Sequence, residues 1–398
     1  MNPLANIENI GFFDTETRAL PSATASDGNV ETAGTYRYAK NSFVIVSTFA
    51  LGSGPVFEVS LDRGFDSDWL CWEEMPYELR EFHKRVEQRE AWYGAWNMGF
   101  DRNAWNEGTW DFPKLDIDNT IDIMAQATAS NLAGKLDGAA KGLKIAGKIA
   151  EGKELIRLFC TATGGTPQSH PAEWLRFKGY GLQDTSVMRQ VWQSTRPLPY
   201  EEWEDYWVSE RINARGAMID VPFVERAAEV SLADIARSNA LLNRWTNGQI
   251  TAVTQAARIA DWVYDRLEYS EARMLLCVDF DEDKEEDLVV GKLSLARSRI
   301  EQVLAFFATL ADKEGGLSER DQAIVDVLTV RQFGGSASPK KLSKMRDQHD
   351  GGRLKGQYVF NGAQQTGRFS SKGVQVHNLT RATLGKFEAP AIEMINDL

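Results

Sequence analysis

The chain has 398 residues, of which 43% are hydrophobic and 26% charged, so it can bury an ordinary globular core and is long enough for two or three domains. Its formal net charge of −12 argues against a uniformly basic nucleic-acid binder, although a local basic groove is compatible with that sum. The three widely spaced cysteines suggest neither disulfides nor a zinc site, and no run is apolar enough to span a bilayer, so we expect a cytoplasmic protein.

The first predicted element is a short apolar strand, residues 10–13, followed by two carboxylates at Asp14 and Glu16. Because side chains alternate along a strand, carboxylates at i and i+2 point to the same face at its end. Two hard oxygen ligands on one face are what a divalent cation such as Mg²⁺ or Mn²⁺ requires. Taken alone, Asp-x-Glu at a strand end is more often a solvated turn.

The elements that follow are typical of a mixed α/β sheet flanked by helices. Strands are predicted at 42–51, 56–61 and 91–96, with a loop at 21–41 and a helix at 76–90. Helical spacing is then predicted near 120–129, 135–143, 153–159 and 180–193.

From Glu201 onward the pattern predicts long helices, at 201–213, for roughly twenty residues after Pro222, at 293–311 and at 320–333. We therefore divide the chain into an α/β domain, residues 1–198, and a mainly α-helical region, residues 199–398. Between Arg331 and Arg381 there are ten Lys or Arg, two Asp and no Glu. Such an excess of positive charge attracts phosphate backbones, although a solvated basic surface is the alternative.

Two later motifs supply partners for the first pair of carboxylates. Asn97-Met-Gly-Phe-Asp101 places a third carboxylate just past a strand, at the start of a helix. Tyr180 and Asp184 are spaced i, i+4, so a phenol and a fourth carboxylate share one helix face. Each motif is weak alone, but three in this order, in strand, strand and helix contexts, form a much stronger signal.

The motifs Phe13-Asp-Thr-Glu16, Asn97-Met-Gly-Phe-Asp101 and Tyr180-Gly-Leu-Gln-Asp184 resemble those of the DEDD superfamily, tyrosine subtype. That resemblance implies a 3′–5′ exonuclease on an RNase H-like fold. Gly34-Thr-Tyr-Arg-Tyr38 and Lys135-Leu-Asp-Gly-Ala-Ala140 are similar to local signatures of one group, the proofreading domain of phage-type family-A DNA polymerases.

The C-terminal region continues this resemblance, with segments similar to the family-A thumb, which grips duplex DNA across the minor groove, and to its junction with the palm. These segments are residues 211–220, 335–342, 366–371 and 375–379. The DNA contacts that the resemblance implies are Lys340, Lys341, Arg368, Gln375 and Asn378. Among them, Arg368 corresponds to an arginine that reads the minor groove near the primer terminus. His377 departs from the family, in which a glutamine is common at that position.

The same resemblance implies that four carboxylates hold two Mg²⁺ (or Mn²⁺) ions. The implied metal ligands are Asp14, Glu16, Asp101 and Asp184. Two such ions activate a water and stabilise the leaving 3′ oxygen, so that nucleoside 5′-monophosphates are released. Tyr180 completes the catalytic set by orienting the water, because a phenol with an ordinary pKa near 10 is a poor base at neutral pH. The implied contacts to the 3′ end are Leu20, Asn97 and Phe100.

The palm and fingers motifs of family-A polymerases do not occur before the sequence ends at Leu398. We therefore expect no polymerisation by this chain alone and expect a second polypeptide carrying palm and fingers to complete the enzyme. The leading hypothesis is a proofreading exonuclease that takes a single-stranded 3′ end at its active site and primer–template duplex at its thumb. Two alternatives stay open: a standalone repair or DNA-degrading exonuclease, and a non-catalytic DNA-binding or assembly module.

Overall fold

The computed structural model describes residues 2–21, 33–65, 70–109, 111–145, 152–277, 293–334, 338–363, 365–379 and 392–395. Most of the loop predicted at 21–41, and residues 335–337 of the predicted thumb segment, lie outside that description. The chain forms two compact units, one of residues 1–221 with 344–381 and one of residues 222–343 with 382–398. The first unit thus extends beyond residue 198, where the sequence analysis divides the chain. That division into an α/β domain and a helical region stays a prediction.

A five-stranded mixed sheet forms the centre of the first unit, with strand order β3-β2-β1-β4-β5. Its strands are β1 (Ile10–Ala19), β2 (Ser42–Leu51), β3 (Val56–Ser60), β4 (Trp92–Ala95) and β5 (Thr120–Asp122). The strands β1, β4 and β5 run parallel to one another, whereas β2 is antiparallel to both β1 and β3. Two small ribbons complete the unit, and they pair β6 (Ala217–Met218) with β7 (Arg353–Leu354) and β8 (Tyr358–Ala363) with β9 (Arg368–Ser371).

Strand β1 is buried on both faces, in agreement with its apolar sequence. Phe12 and Phe13 are both fully buried, and as neighbours on a strand they point to opposite faces of the sheet. Phe13 packs in one apolar core with Phe49 and Trp105, and Phe12 packs in a second core with Trp192. The alternation along β1 therefore fixes which side chains can face each core.

The position of the first carboxylate pair corrects one prediction. Asp14 and Glu16 lie within β1 rather than at its end, because residues 17–19 stay paired with β2. The register shifts by a β-bulge between Glu16 and Thr17. A bulge re-aims the side chains around it, and this one directly follows Glu16.

Helices from the first unit, apart from the short first one, contribute to one or both cores. They are α1 (Thr35–Ala39), α2 (Tyr77–Glu87), α3 (Met98–Gly108), α4 (Ile123–Ala129), α5 (Leu136–Gly142), α6 (Gly152–Phe159), α7 (Pro171–Ser194) and α8 (Tyr200–Arg215). The helices α2, α3 and α6 supply residues to the core around Phe13, while α4, α5 and α8 supply residues to the core around Phe12. The long helix α7 supplies residues to both cores.

Three predictions in this unit are wrong, and the first is the loop at 21–41, in which Thr35–Ala39 form the helix α1. Residues 120–129 are not one helix, because 120–122 pair with β4 and the Asp122 side chain then caps the new helix by accepting from Met124 N at 2.9 Å. Helix α7 begins nine residues before the predicted start, with Pro171 in its first turn. Proline is favourable there because its missing N–H has no helical partner anyway.

The second unit is helical, as predicted for the remainder of the chain. Its helices are α9 (Val221–Trp245), α10 (Ala256–Arg266), α11 (Ser270–Leu276), α12 (Arg297–Glu314) and α13 (Glu319–Gly334), and α14 (Ser338–Gln348) continues past residue 344. One apolar cluster, with Leu242, Val303 and Phe307 buried at its centre, holds α9 to α13 together. Within the described ranges, no helix has the length and apolarity that a membrane crossing requires.

Candidate active site

The Tyr180 hydroxyl lies in the electrostatic field of three carboxylates. Burial raises the pKa of Tyr180, and the charges of Asp184, Glu16 and Asp14 raise it further, in that order. A hydrogen bond from the phenol to Asp184 acts in the same direction. The motifs from β1 and from α7, more than 160 residues apart in the chain, therefore lie close enough for their charges to interact.

Asp101 joins the same group from α3. Its side chain is only 2% exposed, and its Oδ1 accepts hydrogen bonds from Thr15 N at 2.9 Å and from the Thr15 hydroxyl at 2.6 Å. Burial raises the pKa of Asp101 well above its ordinary value, and the neighbouring Asp14 carboxylate raises it further. Asp101 is thus fixed to β1 at the residue between Asp14 and Glu16.

Close packing of two glycines fixes the Tyr180–Asp184 face. Thr48 on β2 donates to Gly181 O at 3.1 Å and shares a 2.7 Å hydrogen bond with Thr185, so α7 lies directly on the strand. A Cβ at Gly181 would approach Thr48 Cγ2 at 3.1 Å. At Gly152, the first residue of α6, a Cβ would collide with the Tyr180 ring. The phenol is therefore confined by backbone on one side.

Arg18 anchors the segment after α6 beneath the site. Its guanidinium donates to four backbone carbonyls, those of Phe159, Ala162, Gly164 and Gly165, at 2.8 to 3.2 Å. This segment also carries a thiol, and Cys160 Sγ lies 3.9 Å from Glu16 Oε2. Burial and the Glu16 charge both raise the pKa of Cys160, so the thiol is neutral beside the carboxylate.

Asn97 is held in a strained backbone conformation at the start of α3. Its φ of 63° and ψ of 54° lie in the left-handed region, which asparagine tolerates better than most residues. Asp122 Oδ1 accepts from Asn97 N at 2.9 Å, and Lys372 Nζ donates to Asn97 Oδ1 at 3.2 Å. Burial first, and then the charge of Glu210, raise the pKa of Asp122 to about 7.

The other two residues predicted to contact a 3′ end lie near the far end of β1. Leu20 is half-buried, packs against the core around Phe13, and donates its N–H to Asn41 O at 2.8 Å. Phe100 packs beside Tyr38, with 6.2 Å between ring centroids, in a small cluster that contains Ala19. Their positions at this edge are compatible with the predicted contacts but do not test them.

The residues predicted to contact duplex DNA fall in both units. Lys340 is exposed and Lys341 half-buried on α14 in the second unit. Arg368, at the start of β9, is exposed in the first unit, as are Gln375 and Asn378. Asn378 Nδ2 donates to Gln375 Oε1 at 3.4 Å. No contact of these five residues with DNA is tested here, and their roles stay predictions.

Comparisons with known proteins relate the chain to replication enzymes. No family model matches the sequence. A DNA polymerase of Bacillus phage SP02 is 29% identical over 267 residues, which are 64% of this chain and 36% of that protein. The chain is homologous to a phage DNA polymerase. It spans about a third of the length of that relative.

Among solved structures, the POL domain of Pol1 from M. smegmatis, in complex with a DNA primer-template and dNTP, matches with a TM-score of 0.46 and 10% identity. The match covers 96% of this chain and 55% of that one. Neither similarity identifies the residues of an active site, so the catalytic and metal-binding roles predicted above stay predictions. The same holds for the second polypeptide predicted to complete the enzyme.

Among the described residues, no group of three or more His, Cys, Asp or Glu side chains is arranged as a ready-made metal site. The charges of Asp14, Glu16 and Asp184 act on Tyr180, and the charge of Asp14 acts on Asp101. The prediction of two bound ions therefore remains to be tested.

Sequence reasoning missed three residues that shape the site, namely Arg18, Asp122 and Lys372. Arg18 carries a local signal, because a charged residue two positions after Glu16 on an otherwise buried strand needs buried partners. Asp122 also carries one, since aspartate is a preferred N-cap residue. Lys372 carries none, because its contact with Asn97 joins positions 275 residues apart.

Proposed function

We propose that the chain is a metal-dependent 3′–5′ DNA exonuclease of RNase H-like fold, acting as the proofreading part of a family-A-type DNA polymerase in DNA replication. The observation that carries this proposal is that the charges of Asp14, Glu16 and Asp184, from two distant motifs, all act on Tyr180, which also hydrogen-bonds Asp184. Homology to a phage DNA polymerase supports the polymerase context. The proposed substrate is a single-stranded DNA 3′ end, with primer–template duplex bound by the basic and helical regions.

The donor set fits Mg²⁺ or Mn²⁺ in its chemistry. All four proposed ligands are carboxylates, and hard oxygen donors are what these ions prefer. The raised pKa of Asp101 reflects burial and repulsion by Asp14, and a divalent cation would relieve that repulsion. The proposed ligands are Asp14, Glu16, Asp101 and Asp184. When bound, two ions would supply an activated water and charge stabilisation of the leaving 3′ oxygen.

The chain's own groups then have distinct roles. Because burial and three carboxylates raise its pKa, Tyr180 keeps its proton at neutral pH and acts as a hydrogen-bond donor that orients the attacking water. Thr15 holds Asp101 in one orientation through its N–H and hydroxyl. Asn97 supports the terminal nucleotide, and Leu20 and Phe100 lie beside its base.

The test is digestion of a 5′-labelled single strand and of a primer with a 3′ mismatch, in Mg²⁺ or Mn²⁺, with the products separated by length. We expect stepwise shortening from the 3′ end and release of nucleoside 5′-monophosphates. Asp14→Asn and Asp101→Asn should each lower the rate by about 100-fold or more, because a catalytic ion supplies several kcal/mol. Asp116→Asn is the matched control, since Asp116 is an exposed carboxylate of the same unit.

Absence of 3′ shortening by the wild-type chain would refute the exonuclease. Equal loss of rate in Asp116→Asn and Asp14→Asn would refute the assignment of the site. Calorimetric titration with Mn²⁺ gives an independent result, because a non-catalytic DNA-binding module would bind the labelled strand without binding the ion.

A further inference from the structure

The Asn97 side chain is held by a lysine from a distant segment of the chain. Lys372 directly follows β9, and its Nζ donates to Asn97 Oδ1 at 3.2 Å. Both residues belong to the first unit. An amide whose oxygen accepts from an ammonium must direct its NH₂ group away from that ammonium, because oxygen and nitrogen diverge from one carbon. The contact therefore selects one of the two amide orientations.

The backbone of Asn97 is restrained at the same time. A left-handed conformation costs a non-glycine residue about 1–2 kcal/mol, and it persists only where its surroundings enforce it. Here the Asp122 carboxylate accepts from Asn97 N, while Phe100 N donates to Asn97 O at 2.9 Å. With Lys372 on the side chain, every polar group of Asn97 except the amide NH₂ is thus fixed by a described hydrogen bond.

The segment that carries Lys372 is itself tied to the unit. Asn213 on α8 exchanges two hydrogen bonds with Tyr358, each of 2.9 Å, and accepts at its carbonyl from Gly356 N at 3.0 Å. Lys372 N donates to Gln357 O at 3.0 Å. The lysine is therefore delivered to Asn97 by a fixed scaffold rather than by a free tail.

The cleft beside this contact is too small to hold a nucleotide. It is lined by Asn97, Asp122, Lys372 and neighbouring side chains, and its volume is about 20 Å³. Small-molecule sites are roughly 300 Å³ or larger, whereas one water needs about 10–15 Å³. The cleft therefore offers the lysine no space for a nucleotide, and Asn97 is the group that its ammonium touches.

We propose that Lys372 is a positioning residue of the 3′-end site, which orients the Asn97 amide so that its NH₂ group donates to the terminal nucleotide of a bound strand. This inference rests on the proposed function, in which Asn97 contacts that nucleotide. It gives one residue of the basic C-terminal segment a task in the nuclease unit that is separate from gripping duplex DNA.

The test is a double-mutant cycle on binding, measured with the full chain in EDTA by fluorescence anisotropy of a labelled single-stranded oligodeoxynucleotide with a free 3′ hydroxyl. Lys372→Met should raise Kd by about 3- to 10-fold, the worth of one neutral hydrogen bond. Lys372→Arg should restore most of the affinity, because it keeps a cationic donor. In an Asn97→Ala background, Lys372→Met should have little further effect.

Lys84→Met is the matched control for loss of a positive charge. Lys84 lies on α2 in the same unit, and its side chain is 61% exposed and paired with Glu81. Its replacement should leave Kd unchanged. Salt dependence gives a second readout, since a lysine that contacts a phosphate lowers the salt slope when it is removed, whereas a positioning lysine leaves it unchanged.

The proposal would be overturned if Lys372→Met raised Kd by the same factor in the wild type and in the Asn97→Ala variant. An unchanged Kd for Lys372→Met alone would also overturn it. A wild-type chain that binds the strand but does not shorten it in Mg²⁺ would refute the exonuclease while the cycle still decided the positioning role. A wild-type chain that fails to bind the strand would overturn both.

Discussion

A buried ion pair between Arg102 on α3 and Glu210 on α8 joins α8, which follows the division predicted at residue 198, to the first unit. Arg102 Nη2 lies 2.8 Å from Glu210 Oε2, and the two side chains are only 3% and 11% exposed. On the other side, Arg102 Nη1 donates to the Thr120 hydroxyl at 3.3 Å, and Asn213 Nδ2 donates to Glu210 Oε1 at 2.9 Å. Glu210→Leu would leave the guanidinium buried without its counter-charge.

Removal of one partner from such a pair costs about 3–5 kcal/mol, because the remaining charge stays desolvated. The pair of Lys141 and Asp137 in α5 offers a contrast, since its separation of 2.7 Å is nearly the same but its side chains are 72% and 40% exposed. Exposed pairs contribute about 0.2–1 kcal/mol. We therefore expect Glu210→Leu to lower the free energy of unfolding several times more than Lys141→Met does.

The assay is urea unfolding followed by tryptophan fluorescence, which reports mainly on the first unit because ten of the twelve tryptophans belong to it. The double variant Arg102→Met/Glu210→Leu should recover most of the lost stability, because it buries apolar groups instead of an unpaired charge. A cost for Glu210→Leu no larger than that for Lys141→Met would refute the buried pair. A double variant as unstable as Glu210→Leu alone would show that packing, and not the orphaned charge, accounts for the loss.

Three further outcomes are expected. The pKa of Asp122 is raised to about 7, so its contribution to stability is present at low pH and is lost as pH rises from about 4 to 7. Over that window, the free energy of unfolding of Asp122→Asn should rise relative to that of the wild type by up to about 1.4 kcal/mol per pH unit. Urea midpoints of the two proteins that run parallel from pH 5 to 8 would contradict this. Gly152→Ala should destabilise the protein by about 1–3 kcal/mol, because its Cβ would collide with the Tyr180 ring, and should slow any nuclease reaction through Tyr180. Gly179→Ala should instead stabilise the protein by about 0.5–1 kcal/mol, because a Cβ there meets nothing within 4 Å. Equal urea midpoints for the two variants would contradict this. Arg18→Met should lower the free energy of unfolding in urea by about 2–3 kcal/mol, because one buried and three part-buried carbonyls lose their donor. A loss below about 1 kcal/mol would show that water replaces the guanidinium.

Local patterns in the sequence were enough to predict most of the fold. The strand at 42–51 matches β2 at both ends, and the i, i+4 spacing of Tyr180 and Asp184 predicted their common face. Periodicity failed where pairing with a distant strand decided the outcome. Residues 120–122 are too few for their own alternation to indicate a strand, and their pairing with β4 is what makes them one.

The candidate site shows the same limit. Recognisable motifs in the sequence contain Asp14, Glu16 and Asp184, whose charges act together on Tyr180, while their catalytic roles stay predictions. It did not predict what holds them, since Arg18 reaches carbonyls more than 140 residues away and the bulge after Glu16 depends on the register with β2. Such contacts join positions that have no regular spacing, so no periodic pattern records them.

The segment at 353–374 has a physical reason to fold with the sheet rather than apart from it. Leu354 is buried, and β7 pairs with β6 immediately after α8, so the segment adds hydrogen bonds and apolar burial to the first unit. Its Lys372 then meets Asn97 beside Asp122, where a cation partly offsets a buried carboxylate. Because the stability of this segment and the orientation of Asn97 depend on the same contacts, a change that loosens the segment should also alter how the proposed site holds a 3′ end.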